Sequence, residues 1–363
     1  MPLTLLLHGK HGGPDVRYEP LGPWLVPWQF GPAGFAAEYR ALRQGVGLAD
    51  YSTQALIECR GADRADFLQR LLTNDIASLA PGTGCRAALL TPTAKLLADL
   101  LVLAEADAHW LFADLPQAEL AARTLERYHF TEQVTVTFHE RCQAVLALEG
   151  PRTMELLAAL VGPPPTLHRM GDHTTVILGG VPVRLIRRSL AGGVGVWCVV
   201  DAASLESLWA LLVERGAPFG LTPVGWKALN AARLEAGEPW AGVDWDETIL
   251  LPETGLERVL VSGTKGCYIG QEIVARMQTY GSPSKRLMGL AFAEATKPSP
   301  GDRILKEGAE VGALTSSGDS PALGRPIAMG YIKRGADEPG TRVEVVHGST
   351  RLSATVSLLP FIR

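Results

Sequence analysis

Ser262-Gly263-Thr264-Lys265-Gly266-Cys267-Tyr268-Ile269-Gly270-Gln271-Glu272 is the most informative stretch of the chain. Glycines at 263, 266 and 270 let the backbone bend sharply or pass close to a ligand. A short helix is expected to begin near Gly270. Its N-terminus favours a thiolate just ahead of it, and the ammonium of Lys265 adds to that effect at Cys267. A reactive or metal-ligating thiol is one reading of Cys267. A buried structural cysteine in a glycine-rich turn is the other.

Upstream, Ala232-Arg233-Leu234-Glu235-Ala236-Gly237 closes a helix. Arginine in a last helical turn complements the helix dipole whatever else it does. It can equally project into a cleft and take a carboxylate on its planar fork. Further back, Asp99 interrupts Leu96-Leu97-Ala98-Asp99-Leu100-Leu101-Val102-Leu103, which is otherwise almost wholly apolar. A carboxylate there is costly unless it is paired or lies at a strand end. Its pKa can be tuned for proton transfer or amine binding, or backbone amides can simply satisfy it.

The elements around these segments follow from period and punctuation. Residues 1–30, rich in Gly, Pro and Trp, read as an irregular arm whose Trp24 and Trp28 are packing anchors. A helix begins after Asp63, with Phe67, Leu68, Leu71 and Leu72 as its apolar stripe and Asn74 as its end. Residues 86–115 read as paired strands, and Pro116 opens a helix through Tyr128. Gly179-Gly180 turns a hairpin over 173–187. Asp201 caps a helix ended by Gly216, and Thr222-Pro223 opens another ended by Gly237. From Arg286 onward short strands alternate with Gly, Pro and Asp turns, the pattern of a small β-barrel or sandwich. The expected organisation is an arm at 1–30, an α+β region at 31–285 and a β-barrel domain at 286–363.

Composition limits the function. The 363 residues carry Lys+Arg 34 against Asp+Glu 38, a formal net charge of -4. That balance, without basic runs, argues against direct tRNA or DNA binding and against an anionic membrane surface. Arg187-Arg188 and Lys285-Arg286 are the basic pairs worth testing. No apolar run reaches the length of a membrane span, and the N-terminal leucines are too few for a signal segment. Five scattered cysteines without a C-x-x-C pair fit a reduced, cytoplasmic protein and encode no local cluster motif. The eight histidines show no ligand spacing, so no metal site is expected. Gly192-Gly193-Val194-Gly195 lacks the Gly-Lys-Ser/Thr of a phosphate loop, and no G-x-S-x-G occurs.

The run Lys265-Gly266-Cys267-Tyr268-Ile269-Gly270-Gln271-Glu272 resembles the signature of YgfZ-type folate-binding proteins, relatives of the glycine cleavage T-protein (aminomethyltransferase). Gly47-Leu48-Ala49-Asp50-Tyr51-Ser52, Thr73-Asn74-Asp75, Gly150-Pro151, Arg233 to Gly237 and Gly312 to Ser316 are similar to further family segments, covering about residues 33–360. The resemblance implies an α+β fold: two interlocked α+β folate-binding domains around a central tetrahydrofolate pocket, then a C-terminal β-barrel. It assigns Asp99, Arg233, Glu235, Gln271 and Glu272 to the cofactor, and Cys267, Lys265 and Asp99 to the chemistry. Two departures stand out: Ala98-Asp99 replaces an Asp-Asp pair, and Arg188 to Gly195 lacks the glutamate of the T-protein G-E-x-G segment. The balance implies an accessory factor for iron–sulfur cluster assembly or repair, with iron–sulfur enzymes or assembly proteins as partners. A folate-dependent aminomethyltransferase is the first alternative, and a protein related to tRNA modification the second.

Overall fold

The computed structural model describes residues 2–11, 15–31, 34–163 and 166–362. The body consists of two sheets threaded through each other. A five-stranded antiparallel sheet runs in the order Gly84–Leu90, Leu96–Ala104, Ala108–Asp114, Gln54–Arg60, Thr135–His139. A six-stranded sheet runs in the order His173–Leu178, Val181–Arg187, Gly195–Asp201, Gln143–Glu149, Val46–Asp50, Leu221–Pro223, with only the last pair parallel. The interlock is local in sequence. Val46–Asp50 belongs to one sheet and Gln54–Arg60 to the other, so Tyr51-Ser52-Thr53 crosses between them.

Both expected helices of the first half form, at Arg64–Leu71 and Leu115–Arg127. Ala118, Ala121, Ala122 and Leu125 bury one face of the second in the core it shares with Leu101, Leu103 and Leu111. Asp63 precedes the first helix as expected, but its carboxylate accepts the Gln133 amide at 2.7 Å and makes no cap. The 173–187 hairpin turns on Gly179 and Gly180, at φ +57° and +83°, the backbone that a type I′ turn demands and glycine supplies.

Two expectations on local structure are corrected. The first 30 residues do not form an irregular arm: Leu3–Thr4, Val16–Leu21 and Trp24–Phe30 make a three-stranded sheet, with Pro14 outside the described residues. Alternation in Trp24-Leu25-Val26 buries Trp24 and Val26 against the body, which residue-type counting hides behind the prolines. Thr222-Pro223 does not open a helix. It extends a strand parallel to Val46–Leu48, and the helix starts at Trp226 after Gly225.

The chain from Lys285 to Ser357 is a closed six-stranded barrel around Met288, Leu290, Phe292, Ile304, Leu314, Ile332 and Val345. Among the described residues no helix is long and apolar enough to cross a membrane. Glu235 bolts the barrel to the body. Its fully buried carboxylate accepts the Tyr39 hydroxyl at 2.7 and 2.9 Å, the Ser320 hydroxyl at 2.6 Å and the Arg43 guanidinium. Its acceptor sites face the protein's own donors. Glu235→Ala is expected to lower stability by roughly 3–5 kcal/mol, since it strands a cation and two buried hydroxyls. Urea denaturation of the two proteins checks this.

Candidate functional site

A cleft of about 830 Å³, its open mouth included, lies where the two sheets, the N-terminal hairpin and the 238–245 loop meet. One sheet face builds its floor. Asp99 and Leu101 are two apart on one strand, as are Phe112 and Asp114 on the next, so each pair shares a face. Register places Leu101 opposite Phe112, Arg86 opposite Leu101 and Gln54 opposite Asp114, and all six side chains line the cleft. Tyr51, Trp197 and Trp226 form the facing wall, with Trp240 and Trp245 from the 238–245 loop and Trp24 from the hairpin. Trp24 is therefore more than a packing anchor, and its indole donates to the Asp114 carboxylate at 3.1 Å.

Four charges of alternating sign cross the floor. Arg86 grips Asp99 through Nε, at 3.2 Å, and through Nη2, while its Nη1 meets Glu238 at 2.7 Å. The same Glu238 oxygen accepts Arg188 Nη2 at 2.7 Å. Burial alone pushes the Glu238 carboxyl up, but the two guanidiniums outweigh it and hold it at about 2. Burial likewise opposes the charge on Arg86, and Asp99 and Glu238 more than restore it. Asp114 has no such cation. Burial pushes its carboxyl up to about 7 against the pull of the Trp24 and Thr53 hydrogen bonds. Four polar atoms on cleft-lining side chains are buried without a partner: the indole nitrogens of Trp197, Trp240 and Trp245, and Gln117 Oε1. A buried polar atom left unpaired in a cleft wall is one that a ligand can satisfy.

Comparison with known proteins matches two family models in tandem. The GCVT N-terminal domain matches residues 7–263, and the glycine cleavage T-protein C-terminal barrel domain matches 285–362. The chain belongs to the glycine cleavage T-protein family. Aminomethyltransferase from Shouchella clausii is 29% identical over 360 residues, covering 98% of this chain and 96% of the relative. Aminomethyltransferase from Symbiobacterium thermophilum is 30% identical over 369 residues, with 98% and 96% covered. The crystal structure of glycine cleavage system aminomethyltransferase T from Bartonella henselae is similar with a TM-score of 0.88 at 25% identity, covering 100% of this chain and 98% of that one. The mixed α/β T-protein fold with its closed C-terminal barrel agrees with the fold expected from the sequence.

In this T-protein relative only Asp99, of the expected site residues, reaches the cleft. Arg233 sits behind Trp240, stacked on its ring at 4.4 Å, and its carboxylate partner is Asp244 of its own chain. Gln271 Oε1 accepts the Tyr268 amide at 3.2 Å, and Glu272 is exposed, both away from the cleft. Lys265 reaches to the end of another helix. Its ammonium caps the helix ending at Leu71 through the carbonyls of Gln69 and Leu72, the latter at 2.5 Å. Burial lowers the lysine to about 8 against the field of Asp75 and Cys85. Cys267 itself is exposed. Gly270, at φ +82°, is required by contact: a Cβ there would lie 2.7 Å from the Thr91 carbonyl. Tyr268 then packs with Leu90, Leu96 and Trp245. The motif thus braces the cleft wall from behind and presents its thiol outward.

Sequence reading missed Arg86, Asp114 and Glu238. Arg86 carried the signal that exposed Asp99, a charge within the apolar strand Gly84–Leu90. Asp114 and Glu238 lie at element ends, where charged residues are ordinary. Glu238→Gln removes the anion shared by Arg86 and Arg188. The folded-state pKa lies below the unfolded value, so the stabilisation is full above about pH 4.5 and fades as pH falls toward 2. Thermal denaturation should show a loss of about 3 kcal/mol at pH 7 that shrinks toward zero near pH 2.

Proposed function

We propose that this protein binds tetrahydrofolate in the cleft and transfers a one-carbon unit to it from an aminomethyl donor. Aminomethyltransferases of this family use tetrahydrofolate. The observation that carries the reading here is Asp99, a carboxylate fixed through both oxygens on the floor of a cleft walled by indole and phenol rings. The residues present fit the cofactor. Its flat pterin suits the faces of Tyr51, Phe112, Trp197 and Trp240, its N–H edge suits the carboxylates of Asp99 and Glu238, and its carbonyl suits the unpartnered indole donors. Glu238 supplies a carboxylate that the Arg188 to Gly195 segment lacks, and Arg188 of that segment holds it.

When bound, tetrahydrofolate supplies the amine nitrogens that accept the one-carbon unit. Arg86 fixes the orientation of Asp99 before any ligand arrives, so no reorganisation is needed there as the reaction proceeds. A carboxylate so placed stabilises positive charge that develops on a neighbouring amine. The aromatic walls exclude water and strengthen that interaction.

Cys267 favours a second reading, the YgfZ-type accessory role. It is exposed on a glycine-flanked loop outside the cleft, with open space at Gly263 and Gly266. A single thiol holds no cluster alone, so iron–sulfur enzymes or assembly proteins would supply the remaining ligands. Complementation separates the readings: if Cys267→Ala fully restores cluster-enzyme activity in a deletion strain, the thiol has no such role.

Purified protein given tetrahydrofolate and an aminomethyl donor is expected to release ammonia. Asp99→Asn should lower kcat/KM by about 10²–10³-fold, on the order of 3–4 kcal/mol of transition-state stabilisation. Folate binding without turnover in the wild-type protein would favour the accessory role.

A further inference from the structure

The three carboxylates of the cleft floor are not equivalent. Asp99 is held by Arg86, and Glu238 by Arg86 and Arg188, so both are matched by permanent cations. Asp114 stands on the same sheet face, beyond the register pair Leu101 and Phe112 that brings its strand beside that of Asp99. Among the described residues it has no Lys, Arg or His within ion-pair distance. Its donor in the cleft wall is the neutral indole of Trp24. The other groups facing it are Gln54 across the sheet, Gln117 on the following helix and the phenol of Tyr51. Burial raises that phenol, and Asp114 raises it further, so it stays protonated at neutral pH. A buried carboxyl with no cation beside it is the group there that can gain or lose a proton without breaking an ion pair.

We propose that Asp114 is the proton-transfer residue of the cleft, donating to the departing amine and recovering a proton from the accepting one. This rests on the one-carbon transfer reading above. In the step, the C–N bond of the aminomethyl donor breaks and its electron pair goes to nitrogen. The Asp114 carboxyl proton goes to that nitrogen, which leaves as ammonia. The accepting amine forms a new C–N bond to the same carbon with its lone pair and gives up its proton to the Asp114 carboxylate. Atoms, electrons and the state of Asp114 all balance over the exchange. The burial that holds the carboxyl near 7 keeps about half of it in the donating form at neutral pH.

The test uses intact protein, with tetrahydrofolate binding and ammonia release measured separately. In the wild-type protein kcat is expected to fall as pH rises through about 7. Asp114→Asn should lower kcat by about 10²–10⁴-fold and abolish that limb, while the tetrahydrofolate Kd stays within about threefold. Trp24→Phe removes the indole bond that favours the carboxylate, so the limb should move to higher pH. An unchanged limb in Asp114→Asn overturns the proposal, as does a loss of activity that only follows a loss of folate binding. Failure of the wild-type protein to bind tetrahydrofolate would instead overturn the functional reading itself.

Discussion

The fold turns on one buried charge. Arg233 is entirely enclosed, and a guanidinium in such a place must find an anion or cost several kcal/mol. Asp244 is that anion, eleven residues on. To reach it the chain after the helix folds back, which lays Trp240 across the guanidinium and sets Trp245 beside it in the cleft wall. The other Asp244 oxygen accepts Thr315 and Ser316 of the barrel, each at 2.6 Å. One ion pair therefore closes the loop, builds a wall of the cleft and docks the barrel. Burial still works against the charge on Arg233 and lowers its pKa, which Asp244 only partly offsets.

A second, outer layer of charge rests on that frame. Asp99 and Arg86 lie on neighbouring strands, Arg188 just past a strand of the other sheet and Glu238 on the closing loop, so their alternation joins both sheets to that loop. The layer also divides labour among carboxylates. Two are tied to guanidiniums and keep fixed charge and fixed direction. The third, Asp114, is left to titrate. Pairs of titratable groups pushed apart in pKa by their surroundings are the usual basis of acid and base roles in one site.

Much of this was legible in the sequence, for reasons that can be named. The barrel showed in its turn spacing after 285, and the hairpins showed in Gly179-Gly180 and in the apolar strand Leu96–Ala104. Asp99 was visible because a carboxylate inside an apolar strand demands an explanation, and Arg86 offered the same signal one strand earlier. Other features depend on tertiary contact and leave little local trace. Glu235 and Arg233 look like ligand residues until their partners are seen, Ser320 on the barrel and Asp244 on the loop that folds back after the helix. Lys265 looks like an activator of its neighbour Cys267 until the free carbonyls of a distant helix end claim it. Trp24 sits among prolines, and only the pairing of Trp24–Phe30 with Val16–Leu21 shows where it points.

The aromatic walls of the cleft make tetrahydrofolate binding directly observable. Its most direct measurement is titration of intact protein with tetrahydrofolate, following tryptophan emission and heat together, with Trp240→Phe as the comparison. Saturable binding at one site per chain with quenching of the emission is expected, with a smaller quench in Trp240→Phe. Binding that leaves the emission unchanged, or no binding at all, would contradict a tetrahydrofolate site in the cleft.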